Sequence, residues 1–376
     1  MIQGKIGVFF HMKFIITKTE LLAIIGKVQN IVPTKPSNPV LANILIQAID
    51  DQVIVSATYA TISMQAYADA KVEEEGSITL PARRFFQLAR ELTAPQIEVH
   101  TLSPEVAQIN SGSSHFKIHG MQKEEFPTFP DLSDQMTTDL PVATLKELLG
   151  KTAFAAGRED SRQTLNGVCL QNLDTSAIFI ATDGKKLAKA YATLSLASGK
   201  QGSFILPIKA VEEILRLLDG KEETAKLILM QDKCGLQVGK ATLITNLILG
   251  QYPDVSRVIP EISQHPLKLH REELISLLKQ VALFTSETAG SVRFTFSTGQ
   301  LQLSAGSGDI GEGTVQMPVN YQGEKVEIAF QPTHFLDILR HSKDETINFE
   351  LSDSYNPGLI TDSSSALFVL MPMKLT

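Results

Sequence analysis

Apolar and polar residues follow a helical period in three widely spaced parts of the chain, and each part contains a pair of adjacent leucines. The stretches are TELLAIIGKVQNI, ATLKELLGKTAFAA and REELISLLKQVALF. Their leucine pairs are Leu21–Leu22, Leu148–Leu149 and Leu277–Leu278, which lie 127 and 129 positions apart. A fixed period of this length predicts an internal repeat of domain size.

A second landmark is an apolar strand pattern that ends in a proline just before a helical pattern. It occurs in SITLPARRFFQLAREL, SFILPIKAVEEILRLL and EIAFQPTHFLDILRHS, with Pro81, Pro207 and Pro332 spaced by 126 and 125 residues. Proline suits the start of a helix because its missing N–H needs no partner there. Any α+β chain shows helices and strands at loose intervals, but two landmarks in three copies favour a repeat.

Period-two and apolar runs typical of strands fill the space between these helices, for example VRFTFSTGQLQLSA. Each repeat therefore reads helix, strands, helix, strands, which predicts an α+β fold of three repeated domains, each with two helices packed on antiparallel sheets. The polar and proline-containing segments 124–141 and 251–266 predict the boundaries. We expect domains at 12–133, 138–258 and 264–376, with 1–11 an N-terminal extension or a start-site artefact.

Composition supports a folded chain in a reducing compartment. The 376 residues are 43% hydrophobic and 20% charged, which fits two or three domains. The only cysteines, Cys169 and Cys234, lie far apart without a metal-ligand or Cys-x-x-Cys spacing. The early apolar run IGVFFHMKFII is too short to span a bilayer. We therefore expect a cytoplasmic protein without export and without membrane association.

Charge is unevenly distributed along the chain. The net charge is −7, yet the six helical windows carry 14 lysines and arginines against 9 aspartates and glutamates; the windows are 18–30, 82–92, 144–158, 208–220, 271–284 and 332–343. Segregated charge creates a local potential that net charge hides, and a basic surface suits phosphate. On charge alone, solvated amphipathic faces are the favoured explanation.

No catalytic or metal-binding constellation stands out in the sequence. His115 and His119 are four apart on a strand pattern, where about 13 Å separates them and prevents shared zinc ligation. We therefore expect no catalytic residue, no metal and no cofactor. The stretch ATDGKKLA is first a hairpin turn at Asp183–Gly184; the alternative is that the turn and Lys185, Lys186 and Leu187 form one wall of a pocket.

Taken in order, several stretches resemble the bacterial DNA polymerase III beta subunit, the replicative sliding clamp, from Met12 to the C-terminus. They are MKFIITKTELL, NPVLANILIQA, LPARRFFQLAREL, EFPTFPDL, TLNGVCL, ATDGKKLA, LPIKAVEEILRLLDG, QYPDVSRVIP and FVLMPMKL. They span all three repeats. In that family, two three-domain chains close head to tail into a ring around duplex DNA and serve as a processivity factor without enzymatic activity.

The resemblance implies that basic residues face double-stranded DNA independently of its sequence. The implied DNA-binding residues are Lys27, Lys35, Arg83, Arg84, Arg90, Lys146, Arg158, Arg162, Lys209, Arg216, Lys279 and Arg340. Lys35 stands where the family has an arginine, so its contact is a point charge rather than a fork. Glu159 lies in another loop that contacts DNA in relatives, and its negative charge argues against that contact here.

For the homodimer, the resemblance implies contact between the first domain of one chain and the third domain of the other. Arg84 and Phe116 fall on one face, and Leu283, Phe284 and Glu312 on the other. An apolar cluster flanked by opposite charges suits an interface. The stretch HREELISLLKQVALFTS leaves an alternative open, in which Leu283 and Phe284 belong to the core of their own domain.

The resemblance also implies a pocket for short peptide motifs of the DNA polymerase III catalytic subunit, the clamp loader, other polymerases and repair proteins. Its implied residues are Leu165, Thr182, Gly184, Lys185, Lys186, Leu187, Pro253, Arg257, Val258, Val369, Leu370, Met371, Pro372 and Met373. Methionine is adaptable, which suits a groove for several peptides. Lys185 replaces a histidine at the rim of this pocket.

Two other classes of function fit parts of the sequence. A nuclease would use scattered carboxylates and a metal, although no acidic pair has a spacing that recommends it. A repeat scaffold would bind peptides without encircling DNA. Metal-dependent activity would distinguish the first, and a compact monomer in solution the second.

Overall fold

The computed structural model describes residues 11–132, 135–173, 175–194, 202–261, 266–286 and 290–374. The predicted N-terminal extension, apart from His11, lies outside these residues. Within them the chain forms six α-helices: α1 Lys18–Val28, α2 Ala82–Glu91, α3 Val142–Thr152, α4 Ile208–Leu217, α5 Arg271–Ala282 and α6 Pro332–His341. Each of the three predicted repeats therefore has two helices.

Strands make up most of the remaining ordered chain. The strands of its first part are β1 Lys13–Thr17, β2 Asn43–Ile49, β3 Gln52–Tyr59, β4 Ile62–Asp69, β5 Lys71–Glu74, β6 Gly76–Pro81, β7 Gln96–Ser103, β8 Val106–Ser111, β9 Ser114–His119 and β10 Thr138–Pro141. The strands up to residue 246 are β11 Gly167–Asn172, β12 Ala177–Thr182, β13 Lys186–Ala192, β14 Gly202–Pro207, β15 Thr224–Leu229, β16 Lys233–Val238 and β17 Ala241–Asn246. The last eight are β18 Leu267–His270, β19 Val292–Ser297, β20 Gln300–Ser307, β21 Gly311–Pro318, β22 Val326–Phe330, β23 Thr346–Glu350, β24 Gly358–Thr361 and β25 Ala366–Leu370.

The first of two compact units takes the described part of Met1–Val142 together with Glu212–Leu247. It contains a five-stranded sheet, ordered β5-β1-β7-β8-β9, and an eight-stranded sheet, ordered β10-β15-β16-β17-β4-β3-β2-β6. In the larger sheet, β17 pairs with β4 from Ala241↔Ala66 to Thr245↔Ile62. Strands from the first and second predicted repeats thus share one sheet, which explains why they cluster together.

The second compact unit takes Ala143–Val211 and Ile248–Thr376. Its eight-stranded sheet has the order β14-β11-β12-β13-β25-β24-β23-β18, and its four-stranded sheet the order β21-β20-β19-β22. All strand pairs described in both units are antiparallel, and this confirms the predicted α+β fold class.

Side-chain chemistry explains where the helices begin. At α1, the Thr17 hydroxyl accepts a hydrogen bond from the N–H of Glu20, which caps the helix, and donates one to the Glu20 carboxylate. Pro332 occupies the first turn of α6, as the pattern predicts. Pro81 and Pro207 instead close strands β6 and β14, and the helices start one residue later. An extended proline ends a strand as readily as it begins a helix.

The apolar faces of these elements form the cores. In the first unit α1 buries Leu21, Ile24, Ile25 and Val28, which follow the helical period. The second unit has an aromatic core in which the ring of Phe335 lies 5.1 Å from Phe294 and 5.8 Å from Phe349, measured between centroids.

The apolar C-terminal stretch is a central strand rather than a loose end. β25 lies between β13 and β24, so its apolar residues are covered on both edges. Beyond it, the N–H of Met371 donates to the carbonyl of Lys185 over 2.9 Å, and the N–H of Met373 to the carbonyl of Ala329 over 2.7 Å. These bonds hold the chain end in the second unit.

Candidate functional site

A small apolar cavity in the second unit collects most of the residues expected for a peptide pocket. We call it the anchor cavity; its volume is about 190 Å³, and its walls are Arg162, Leu165, Thr182, Gly184, Lys186, Leu187, Pro253, Asp254, Val255, Val258, Val369 and Met371. Nine of the fourteen predicted pocket residues are among them. The structure therefore brings together β12, β13, the 253–258 segment and the end of β25.

The turn between β12 and β13 shapes one wall of the anchor cavity. The Asp183 carboxylate accepts hydrogen bonds from the N–H groups of Lys185 and Lys186, at 2.8 and 2.9 Å. The Thr182 hydroxyl accepts one from the N–H of Gly184 and donates to the Lys186 carbonyl. Gly184 has φ +84°, a left-handed conformation that disfavours side chains. The turn is thus a hairpin and a pocket wall at once.

Arg162 belongs to the same wall, although the sequence placed it with the DNA-binding residues. Its Nε and Nη2 donate to the two oxygens of Asp160, at 3.0 and 2.9 Å, and Nη2 also donates to the Asp183 carbonyl. These bonds from the guanidinium hold the pKa of Asp160 at about 2. A β-carbon at Gly184 would lie 3.0 Å from Nη2, so the glycine makes room for the guanidinium.

Apolar clusters support the floor of the anchor cavity. Leu187 and Val369 pair across β13 and β25 and pack with Leu359. Leu165 is buried in a neighbouring cluster. The rim is more open, since Val258 is 40% exposed and Met371 is 38% exposed. Exposed apolar groups at the rim of a cavity with an apolar floor are suited to binding apolar side chains of a ligand.

Among the described residues, five predicted pocket members do not line the anchor cavity: Lys185, Arg257, Leu370, Pro372 and Met373. Leu370 is fully buried because successive strand residues point to opposite faces, which leaves Val369 facing the cavity. Met373 is held against Ala329. Arg257 lines a larger neighbouring cavity. Arg162, Asp254 and Val255 are wall residues that the sequence did not assign to the pocket.

Lys185 instead lines a polar cavity of about 480 Å³ on another side of the turn. Here Lys186 Nζ, nearly buried, lies 3.2 Å from Asp337 Oδ2 and 3.7 Å from Asp183 Oδ2. Burial, followed by the positive charge of Lys186, lowers the pKa of His334. The imidazole is therefore mainly neutral at pH 7, and the charged groups of this polar cavity are Lys186 and its partners Asp183 and Asp337.

The structure exposes the side chains of all twelve residues that the sequence assigned to DNA. Nine lie on α1 to α6, and Lys35, Arg158 and Arg162 lie in loops. Several of the twelve pair with acidic neighbours, among them Arg90 with Glu91, Arg162 with Asp160, Arg216 with Glu213, and Arg340 with Asp337. Accessible cations on helices are suited to phosphate contacts, and their role in binding DNA stays a prediction.

Two of the residues assigned to a dimer contact, Phe116 and Glu312, lie on outermost strands of two sheets. Phe116 is 39% exposed on β9, the outer strand of the five-stranded sheet, and Arg84 is exposed on α2. Leu283 follows α5 and is 73% exposed, so it does not belong to a core. Phe284 is half-buried over Gly313 of β21, an outer strand that also carries exposed Glu312.

Within 11–132, 135–173, 175–194, 202–261, 266–286 and 290–374, no group of three or more His, Cys, Asp or Glu side chains is arranged to hold a metal ion. In the same residues, no helix is both long enough and apolar enough to cross a membrane.

From residue 12 to residue 374, the repeated α+β chain matches the models of one family. Three consecutive family models, described as the N-terminal, central and C-terminal domains of the DNA polymerase III beta subunit, match residues 12–130, 139–254 and 256–374. The chain belongs to the DNA polymerase III beta subunit family. The central segment is divided between the two compact units, because its strands enter two different sheets.

Relatives and solved structures agree with this assignment. The chain is 48% identical to the beta sliding clamp of Chlamydia pneumoniae, with 97% of this chain and 99% of the relative covered. It is 31% identical to the beta sliding clamp of Escherichia coli, covering 97% and 100%. The structure of the DnaN sliding clamp of Bartonella birtlesii bound to griselimycin matches with TM-score 0.92 and 28% identity, covering 97% and 100%.

Proposed function

We propose that two copies of this chain close head to tail into a ring around duplex DNA and act as a non-catalytic processivity factor. The family membership and the sliding-clamp relatives support this function. A closed ring leaves a long duplex only at an end or by opening. Its phosphate contacts can therefore be weak, sequence-independent and mobile, which permits sliding.

The ring is proposed because two strands lie at the outer edges of two sheets. β9 ends the five-stranded sheet and β21 ends the four-stranded sheet. An outer strand presents backbone N–H and C=O groups that can pair with another chain. Phe116 is exposed on β9. Glu312 is exposed on β21, and Leu283 is exposed just after α5. Contact between these edges in two copies would bury apolar surface and bring Arg84 near Glu312.

Leu283→Asp tests the ring, because it would place a charge in the proposed contact. Burial of an unpaired carboxylate is costly, and a penalty of about 3 kcal/mol raises a dissociation constant by roughly a hundredfold. Sedimentation equilibrium measures the change. Leu249→Asp is the matched control, since Leu249 is 77% exposed and lies in neither proposed edge.

We expect Leu283→Asp to give monomers at concentrations where the unmodified chain and Leu249→Asp are dimers. Equal dissociation constants for both variants, or a monomeric unmodified chain at micromolar concentration, would contradict the ring. The second of these results would favour a peptide-binding scaffold that does not encircle DNA.

Within the ring, we assign the exposed cations to the DNA and the anchor cavity to partner proteins. The cavity fits the apolar side chains of short peptide motifs, and its methionine rim adapts to different ones. We infer that these motifs come from the DNA polymerase III catalytic subunit, the clamp loader, other polymerases and repair proteins. A family member solved with griselimycin supports ligand binding by such clamps.

The domain boundaries at 12–133, 138–258 and 264–376 are part of the proposal. The ranges of the three family models, which begin at residues 12, 139 and 256, support a division into three.

A further inference from the structure

The proposed ring joins the outer strands β9 and β21, and along each strand the side chains alternate between two faces. On β9, buried Ile118 marks the core side, which Phe116 shares. The opposite, exposed row consists of His115, Lys117 and His119. We call these three residues the basic row. It lies on the outermost strand of its sheet, where another chain can reach it.

Hydrogen bonds fix which nitrogen of the His115 ring takes up a proton. The side-chain N–H of Asn110 donates to the Glu98 carboxylate over 2.8 Å, so the amide oxygen of Asn110 is the atom that faces His115. His115 Nδ1 lies 2.8 Å from this oxygen and donates to it. In the neutral ring the proton is therefore on Nδ1, and Nε2 receives the second proton when pH falls. The charged ring keeps its bond to Asn110 and gains a donor at Nε2.

Neighbouring strands hold the basic row in place without neutralising it. The residues opposite it on β8 are not ionisable; they are Asn110 across from His115, Gln108 across from Lys117 and Val106 across from His119. Glu98 on β7 accepts a hydrogen bond from Asn110, and Glu105, in the turn before β8, accepts one from Gln122. These carboxylates already bind other side chains. A positive charge gained by the imidazoles is therefore available to a partner outside the sheet.

The outer edge of β21 carries negative charge. Gly313 faces Phe284 on the helix side, so Glu312 belongs to the opposite, exposed row of this strand. Gly306 stands opposite Glu312 on β20 and has no side chain to pair with it. Asp309 is exposed in the turn just before β21 and adds a second carboxylate to this edge.

The apolar part of the proposed contact decides which rows meet. Phe116 lies on the core side of β9, and Phe284 covers the helix side of β21. Contact between these two rings would place the core sides of the two sheets together. The outer faces would then continue across the joint as in a single sheet. The basic row of one copy would therefore lie beside Glu312 and Asp309 of the other copy, within reach of cross-strand pairing.

We propose that the ring contact is sensitive to pH: it tightens when His115 and His119 take up protons and weakens when they lose them. This inference rests on the proposed ring. Imidazole is the side chain whose charge ordinarily changes between about pH 5 and 8. Protons that the closed ring binds more tightly than the separate chains stabilise it at the acidic end of this range, and their contribution is lost as pH rises. Arg84 and Lys117 are permanent cations over this range and add no pH dependence.

Sedimentation equilibrium of the full chain at low salt, compared between about pH 6 and about pH 8, tests this inference. The ring has two such contacts, and exposed ion pairs change a dissociation constant by roughly threefold each, so we expect a dissociation constant about tenfold lower near pH 6. High salt should remove the difference by screening. Equal dissociation constants at both pH values would overturn the pH sensitivity alone. Monomers at both pH values would overturn the ring and this inference together.

Variants of the full chain assign the effect to the two edges. His115→Gln with His119→Gln should remove the difference between the two pH values, whereas lysine at both positions should keep the ring tight at each pH. Glu312→Gln with Asp309→Asn should remove the difference from the other side of the contact. His11→Gln is the control, since His11 is exposed and precedes β1, which is not an edge strand. A pH dependence that persists in the double glutamine variant would overturn the proposal.

Discussion

In the proposed function, the anchor cavity and the exposed cations of the helices would recognise their partners by opposite means. At the cavity, hydrogen bonds of Asp183, Thr182 and Arg162 hold the turn that forms one wall. On the helices, residues such as Lys27 and Lys279 are exposed long side chains. A fixed cavity selects particular side chains, whereas mobile cations accept any phosphate and let it pass.

Arg162 shows how the two kinds of site differ. By residue type it suits DNA, but its guanidinium is bound by Asp160 and by the Asp183 carbonyl within the cavity wall. A cation held in this way is a positioned donor with little freedom to follow a moving phosphate. The surroundings of this charge, as well as its sign, therefore bear on its predicted role.

The largest effect that we expect from a single change in the anchor cavity comes from Met371→Ala. Loss of one large apolar contact from a binding site costs about 1 to 3 kcal/mol, or roughly 5- to 150-fold in affinity. Peptide titration measures it, and retention on DNA should not change. Met136→Ala is the control, because Met136 is 64% exposed and lines neither the anchor cavity nor the larger cavity beside it. Unchanged peptide affinity in Met371→Ala would contradict the assignment of the cavity.

A smaller effect is expected when cations on two helices are neutralised. Lys27→Gln with Lys279→Gln should lower the slope of log affinity for DNA against log salt concentration by about 4, because both copies in the ring carry the two changes and each phosphate contact contributes about 1. Peptide affinity should stay the same. Binding of DNA across a salt series measures the slope. An unchanged slope would show that these two residues do not face DNA.

The smallest effect concerns pH and the Arg162–Asp160 pair. Because hydrogen bonds from Arg162 lower the pKa of Asp160 to about 2, the pair stabilises the fold above the ordinary pKa near 4 and loses this contribution as pH falls through 2. We therefore expect no change in peptide affinity from this group between pH 5 and 8. Carbon NMR titration of the carboxylate should give a midpoint near 2, and a midpoint near 4 would contradict the pairing.

Much of the fold was predictable because repetition leaves marks in the sequence. The three leucine pairs lie within α1, α3 and α5. Two of the prolines immediately precede α2 and α4, and the third is the first residue of α6. The sharing of a sheet between β17 and β4 was not predictable. Pairing between distant strands depends on which edges meet in space, and alternation within each strand does not specify its neighbour.

The candidate site was predictable in part for a similar reason. The turn at Asp183–Gly184 and the strand that ends at Leu370 have local signatures, and the structure brings them together. Leu370 itself points away because of strand alternation, and Arg162 depends on a partner that its own spacing does not reveal. The larger cavity that Arg257 lines is formed by short segments between residues 257 and 371, and none of these segments has a distinctive sequence motif.

Retention on circular and linear DNA tests the central claim most directly. The chain is incubated with a bacterial clamp loader, ATP and a nicked plasmid, and half of the sample is then cut once to make the plasmid linear. Gel filtration follows the bound fraction. A ring held by topology should stay on the circles and leave the linear molecules through their ends. Equal loss from both would contradict the account, because it would mean that the chain is held by its contacts and does not encircle DNA.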